Sequence, residues 1–505
     1  MHTRRAILRA GAGFAAASSA LGPLAVGGGY GGSAWQRLRQ RLQGDLVLPT
    51  DESYAAAKQL QYAEFDAINP TAIAYCETAA DVQNCVVFAR KNGVGVRVRS
   101  GGHAVLGWST GPGLVIDVTR IEHATVTGDT VHIGPGLEAI DALHKLSTTG
   151  RQVVTGTCPT VCPGGFLTGG GIGLQTRKFG IGSDRLVSAQ VVLADGRLVR
   201  ASATTEPDLY WALRGGGGGN FGIVVDFEVR PIDAPRMVFF SLTWGWELAK
   251  KVIRGWQPWS VAASTNLGSQ LQVFMLDSAP GNSPAVIVSG GYFGPKSELD
   301  AALADLRARV GVEPEAAVVT DGTYQQGMTA IYGCADLTTS QCHREGLNPD
   351  AVLPRSGFLR EQYRYFDRSF TEAEVDTLLA VYDRDRRAGQ LRALHAMSLG
   401  GVANQVPANA TAYVHRTAQF IVGLASEAME PDPSLPAAVE RFAADAAAFL
   451  DPPGTGAYVN FPGATLPDWP GQYYGVNYPR LVRVKRRYDP DNFFQHGRSI
   501  GSAAG

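Results

Sequence analysis

The chain has 505 residues, 45% hydrophobic and 18% charged, with a formal net charge of −1 at pH 7. That length is too great for one simple core, so two domains are the default, and the composition is ordinary for a soluble globular protein. The net charge near zero gives no argument for nucleic acid or an anionic membrane as partner.

The first element is a targeting segment. In TRRAILRAGAGFAAASSALGPLA, Arg4 and Arg5 precede a weakly apolar, Ala-rich stretch, the pattern of a twin-arginine export signal. Gly and Ser dilute it too far for a membrane anchor, and no later segment offers ~20 apolar residues in a row. Residues 1–34 are therefore read as a leader. The mature protein is expected to be secreted or periplasmic, with no integral membrane segment.

Strands and helices then alternate. TAIAYCE reads as a strand, and AADVQNCVVFARKNG as a helix with Val82, Cys85, Val86 and Ala89 at helical spacing and Gly93 ending it. VGVRVRS and GLVIDVTRI are strands, and ATVTGDTVHIGPG is a hairpin about Gly128-Asp129. LEAIDALHKLSTTG is a helix stopped by Gly150. LVSAQVVLADGRLVRAS is a hairpin with Asp195-Gly196 at its turn. A short helix, DLYWALRG, and a long strand, FGIVVDFEVRPI, complete the first half. Beyond about Pro231, strands (MVFFSLTWGW, QLQVFMLDS, AVIVSGGYFG) alternate with helices (KSELDAALADLRARVG, TEAEVDTLLAVYDRD, SLPAAVERFAADAAAFL), which predicts a second domain with a sheet covered by helices. The tail, YYGVNYPRLVRVKRRYDPDNFF, begins helical and ends in turns. The fold class is α+β.

Six cysteines fit an oxidising compartment. Cys76 with Cys85, and Cys334 with Cys342, are spaced for local disulfides. Cys158 and Cys162 are left over, and sequence alone does not fix their pairing.

The 61 glycines fall largely in runs at strand ends, GGG at 169–171 and GGGGG at 215–219 among them. None forms a GxGxxG between strand and helix, so a Rossmann site fits poorly. There is no Walker loop, no metal-ligand spacing, and no GxSxG elbow in GWSTG. Glycine permits positive φ and close backbone approach, and successive free N–H groups in such turns bind anions. Three such turns in one domain suit a long, phosphate-bearing cofactor.

Four segments carry a resemblance: VRVRSGGHAVLGWS, GTCPTVCPGGFLTGGGIGLQTRKFGIGSDRLVSAQVVLADGRLV, DLYWALRGGGGGNFGIV and YYGVNYPRLVRVKRRYDPDNFF. They are similar, in sequence and in order, to the FAD-linked oxidases of the vanillyl-alcohol oxidase (PCMH-type) superfamily, most of all its berberine-bridge-enzyme-like branch. The likeness runs from about Asn69 to Ile500. It implies an FAD-binding domain of two α+β subdomains at 35–232, interrupted by a substrate domain with an antiparallel sheet at 233–455. A C-terminal segment, 456–505, returns to the FAD domain.

The resemblance also implies roles. The His of RSGGH bonds to the flavin 8α-methyl in that family, and His103 stands there. Arg99, Ser100, Gly101, Gly102 and Gly107 around it, Gly169, Gly170, Gly171 and Gly173 in the second motif, and Gly218, Gly219, Asn220, Gly222 and Ile223 in the third are expected to bind FAD. A second link, from Cys to flavin C6, lies in a G-x-C-P-x-V-G-x-G-G-H-x-x-G-G-G motif, which places Cys158 at the linking position. Here Cys162 replaces a glycine and Phe166 the histidine. Three arrangements stay open: Cys158 as the linker, Cys162 as the linker, or the two as a disulfide. GAYVNFPG matches the A-Y-x-N-[YF] segment, which the family's sugar oxidases use for a base. It gives Tyr458 as the catalytic residue, on a strand, with Asn460, Tyr474 and Asn477 near the cofactor. Val105 replaces a common active-site tyrosine, so the plant alkaloid-cyclising pattern is not met. Tyr473 is a second candidate for the pocket wall. His415 and Arg416 read as mainly structural, Arg177 and Lys178 as structural or near the flavin edge, and His395 as a core or surface histidine, with the pocket as its alternative.

The resulting expectation is an FAD-dependent oxidase, its flavin covalently held. It would oxidise an alcohol, sugar or natural product with O2 as acceptor, acting as a monomer or homodimer with no metal. Its rivals are a dehydrogenase or oxidative cyclase on the same fold, and a flavin-bearing binding protein without turnover.

Overall fold

The computed structural model describes residues 32–429 and 432–501. The twin-arginine stretch lies outside the described residues, except that 32–34 open a helix, Gly32–Arg39.

Among the described residues, the unit that begins at Leu38 is built on three sheets. The first has four strands in the order Asp45–Val47, Ala72–Tyr75, Leu114–Asp117, Val96–Arg99. Strand Leu114–Asp117 pairs in parallel with both Ala72–Tyr75 and Val96–Arg99. The helix Ala79–Asn92 is the crossover between those two, which run parallel on either side of Leu114–Asp117. Its ends are set locally: Thr78 and Asp81 form a capping box, and Gly93 closes it at φ 63°. Val82, Cys85, Val86 and Ala89 form its buried face. The second sheet is antiparallel, in the order Ala124–Thr127, Thr130–Ile133, Ile223–Val229, Leu186–Val192, Leu198–Ser202. Both anticipated hairpins are there.

The third sheet draws seven antiparallel strands from 236–428. Strand alternation sends successive side chains to opposite faces. On one face Trp244, Leu394, Phe420, Val422 and Leu424 pack with the helices Ala249–Ala262, Lys296–Val310, Glu372–Asp383 and Leu435–Leu450 into a core holding Trp256, Trp259 and Phe442. On the other, Tyr363, Tyr365, Met397 and Ile421 meet Ile172, Ile181 and Tyr458 from outside the sheet. The α+β class and the helix-covered antiparallel sheet are as expected.

Two details differ. The helix expected to run to Gly150 is Ala139–Leu146, its carbonyls already satisfied in turns at Ser147 and Thr149. Of the two local cysteine pairs, Cys334–Cys342 is bridged, while Cys76 and Cys85 are buried thiols with sulfurs 4.0 Å apart. Cys158 and Cys162 are also free.

Candidate active site

A cavity of about 390 Å³ opens where the three sheets meet. The turn after strand Val96–Arg99 brings Ser100, Gly101, Gly102 and His103 to its wall. The segment 156–172 adds Cys158, Cys162, Gly165 and Phe166, and the glycine-rich turn adds Gly218, Gly219, Asn220, Gly222 and Ile223. Tyr458 and Asn460 close it, with Glu361 and Met397 reaching in from the seven-stranded sheet.

His103 and Cys158 converge on one hydroxyl. His103 Nε2 is 2.8 Å from Thr160 Oγ1, and Cys158 Sγ is 3.6 Å from the same oxygen. Burial, with the Arg344 charge adding to it, pushes the imidazole down to about 4, so it is neutral and keeps a lone pair at pH 7. Burial also raises the Cys158 thiol. Gly101 makes this convergence possible. A Cβ there would stand 2.9 Å from both Cys162 Sγ and Thr160 O, forcing the 158–162 turn away from the histidine. Cys162 turns from Cys158 and donates its thiol to Gly136 O at 3.3 Å.

The wall fits a flat, phosphate-bearing cofactor. A Cβ on Gly165 would meet nothing within 4 Å, and one on Gly219, at φ 67°, nothing nearer than 4.0 Å, so side chains at either would enter the open cavity. Ser109, also on the wall, has a buried hydroxyl without a hydrogen-bond partner. Asn220 pins its own turn, donating to Gly216 O at 3.2 Å and accepting from Ile500 N–H at 2.9 Å. FAD would thus lie along Ser100–His103, 164–165 and 218–223.

Eight expected contacts lie behind the wall, and each has a structural reason to be there. Arg99 pairs with the buried Asp117 and donates to Ala57 O at 2.8 Å, fixing the strand end. Gly107 leaves room for the Phe65 ring. Side chains at Gly169, Gly170, Gly171 and Gly173 would strike Asn460, Tyr413, Phe166 and Thr155 O, so these glycines serve close packing of the chain on itself. Tyr474 donates to Gly216 O at 3.0 Å, bracing the glycine turn from outside. Asn477 donates to Ala408 O at 2.7 Å and Thr411 O at 3.2 Å.

Tyr458 is buried at the cavity, on an irregular segment and not on the expected strand. Only one bridge, Gly456 with Tyr365, precedes it. Its oxygen accepts from Gly171 N–H at 2.9 Å and from Asn460 Nδ2 at 3.1 Å. Burial pushes the phenol up to about 12, while those two donors pull the other way. Glu361, on strand Phe358–Phe366, is not among the residues the sequence singles out. Its Oε1 is shut off from solvent without a partner, and burial raises the carboxyl to about 8. The available signal is phase: in FLREQYRYF, Glu361 shares a face with Tyr363 and Tyr365.

The remaining candidates are structural. His395 lies 3.1 Å from Gln270 Oε1, and His415 3.0 Å from Tyr473 O, stacked on Tyr365. Arg416 holds Asp184 with two bonds of 2.7 and 2.8 Å. Arg177 donates to Leu399 O and Lys178 to Phe293 O. Tyr473 accepts from Arg498 at 2.8 Å. Val105 and Phe166 do line the cavity.

Two family descriptions match: "FAD binding domain" over residues 70–202 and "Berberine and berberine like" over 457–501. The chain is an FAD-linked oxidoreductase, similar to the berberine-bridge-enzyme-like proteins over both of these segments. YgaK of Bacillus subtilis, an FAD-linked oxidoreductase, is 29% identical over 469 residues, covering 92% of this chain and 98% of its own. BBE-like 1 of Physcomitrella patens shares the fold at a TM-score of 0.82 and 23% identity, over 92% of this chain and 98% of that one. Glucooligosaccharide oxidase of Acremonium strictum does so at 0.79 and 22%, over 94% and 100%, and its FAD is described as 6-S-cysteinyl, 8α-N1-histidyl.

Proposed function

We propose that this berberine-bridge-enzyme-like protein is an exported oxidase. It holds FAD covalently through His103 and Cys158, oxidises an alcohol group on a sugar or polycyclic natural product, and delivers the electrons to O2 as H2O2. The observation that carries this reading is the meeting of His103 and Cys158 at Thr160 Oγ1, in the cavity that Tyr458 and Glu361 also line. The doubly linked FAD of the Acremonium oxidase supports the same assignment. Both nucleophiles line the cavity, the neutral imidazole with its lone pair and the cysteine as a thiol that burial keeps protonated until it reacts.

When bound, FAD supplies the two-electron acceptor and the reactivity of its reduced form with O2. The chain supplies position and proton transfer. Tyr458, as the phenolate, takes the proton of the substrate hydroxyl; the Gly171 and Asn460 donors favour that charge against the burial that holds the phenol up at about 12. Glu361 is a second acceptor, as a carboxylate above about pH 8. Tyr62, Phe166, Phe461 and Met397 give the cavity flat apolar faces, suited to sugar rings and polycyclic substrates alike. The proposed division of labour assigns 35–232 and 456–505 to the cofactor and 233–455 to the substrate. Arg4-Arg5 supports export by the twin-arginine route.

Intact mass after acid precipitation tests the attachment. Flavin is expected to stay on the wild-type chain and on His103→Ala and Cys158→Ser singly, and to leave the double variant. Free flavin in the wild-type supernatant overturns the reading. Peroxide released during turnover in air separates an oxidase from a dehydrogenase.

A further inference from the structure

Outside the cavity, three side chains from distant parts of the chain meet. Glu138 is the N-cap residue of the helix Ala139–Leu146, and Asp141 lies in its first turn. His343 directly follows the bridged Cys342. His343 Nε2 stands 3.1 Å from Asp141 Oδ2 and 3.6 Å from Glu138 Oε2, and the three donor atoms all lie within 4.8 Å of one another. Glu138 is only 9% exposed, and its Oε2, directed into this triangle, is buried without a hydrogen-bond partner.

The other ring nitrogen fixes the chemistry. His343 Nδ1 is 3.2 Å from Ser340 O. A carbonyl only accepts, so Nδ1 carries hydrogen and Nε2 is the ring atom turned to the two carboxylates; these hold the imidazole up at about 9, so a bound cation would take the place of the Nε2 proton. Such a backbone-anchored imidazole is how metal-ligating histidines are oriented. Spacing agrees. Ligands about 2.0–2.1 Å from a tetrahedral ion stand about 3.3 Å from one another, and the two distances from Nε2 bracket that value. We propose that Glu138, Asp141 and His343 form a binding site for a divalent cation of the zinc class.

One imidazole with two carboxylates suits zinc over copper(I), which seeks thiolates, and over magnesium or calcium, which seek oxygen alone. Burial holds Glu138 up at about 8, so the ion would displace its proton, and the two carboxylates then neutralise the dication. Arg344, whose charge also acts on Glu138, is the competing cation and is outnumbered. The ion would clamp the disulfide loop onto the helix that carries the cysteine turn, since Ala139 N–H donates to Val161 O at 3.1 Å and Ile140 N–H to Pro159 O at 2.9 Å.

The test uses the flavin-loaded protein, dialysed against Zn2+ and then analysed for metal. About one zinc per chain is expected. Glu138→Gln, Asp141→Asn and His343→Gln should each weaken binding roughly tenfold or more, the least that losing even a supporting group around a metal costs. Zinc K-edge absorption of the wild-type protein should show one imidazole and oxygen ligands without sulfur. That measurement decides the matter should the variants fail to fold. Absence of retained zinc, uptake shared equally by all three variants, or sulfur in the shell would each overturn the proposal. The first leaves a proton on Nε2 as the cation of the cluster, and the last moves the ion to cysteines.

Discussion

Tyr458→Phe deletes a single oxygen, and the structure says what that oxygen does. It accepts from Gly171 N–H and from Asn460 Nδ2. Asn460 keeps other acceptors, Gly165 O at 3.2 Å and Phe166 O at 3.3 Å, so its loss is small. Gly171 N–H is buried and loses its acceptor, which costs about 1–3 kcal/mol. The ring remains, with its edge contacts to Tyr365 and Phe461, so the fold and flavin content should survive. Catalysis should fall much further. Taking the hydroxyl proton as hydride leaves carbon is general-base help worth roughly 10²–10⁴ in rate. Stopped-flow reduction of the flavin under anaerobic conditions measures that step without interference from O2. A drop of less than about tenfold, with flavin content intact, refutes the assignment. Tyr458 would then be a packing residue and Glu361 the leading candidate base.

Two other consequences are open to measurement. If the Glu361 carboxylate takes part, wild-type flavin reduction should accelerate as pH rises toward about 8, because burial keeps the carboxyl protonated below that value. Glu361→Gln should flatten the profile, and an unchanged profile removes Glu361 from the chemistry. Replacing Arg4 and Arg5 by Lys should retain the protein inside the cell, as shown by fractionation, whereas continued export would dismiss the twin-arginine reading.

Much of the fold was legible because its elements carry local signals. The helix Ala79–Asn92 announces its cap, its buried face and its terminal glycine within sixteen residues. The site was less legible, and the glycines show why. A glycine at a turn states that a backbone must be approached closely, but not by what. At Gly165 and Gly219 the approaching body is a ligand's space, while at Gly169 and Gly171 it is the chain itself, and nothing in GGFLTGGG separates the two cases. Glu361 was hidden for a different reason. A carboxylate in an alternating strand normally faces solvent, and only pairing with Phe420–Ala428, which sets Glu361 opposite Ala425, turns that face to the cavity. Glu138 and His343 lie too far apart in sequence for any spacing rule.

Phe166 bears on where the polar groups of the site must lie. Where the family motif has histidine, this chain places a ring that Gly156, Gly171 and Gly182 enclose, since a Cβ on each would come within 3.3, 2.7 and 3.2 Å of it. Those glycines make Phe166 a plug between the cysteine turn and the Tyr458 segment, because Gly171 also gives its N–H to the Tyr458 oxygen. A polar side chain at 166 would pack among those glycines at the cavity wall and need a partner there. Support for charge at the reacting end of the cavity therefore falls to groups other than residue 166. The structure offers two: the Gly171 and Asn460 donors at Tyr458, and the buried carboxyl of Glu361. The exchange of histidine for phenylalanine thus moves the polar work of the site from the 158–171 turn to the segments that close the cavity from the other side.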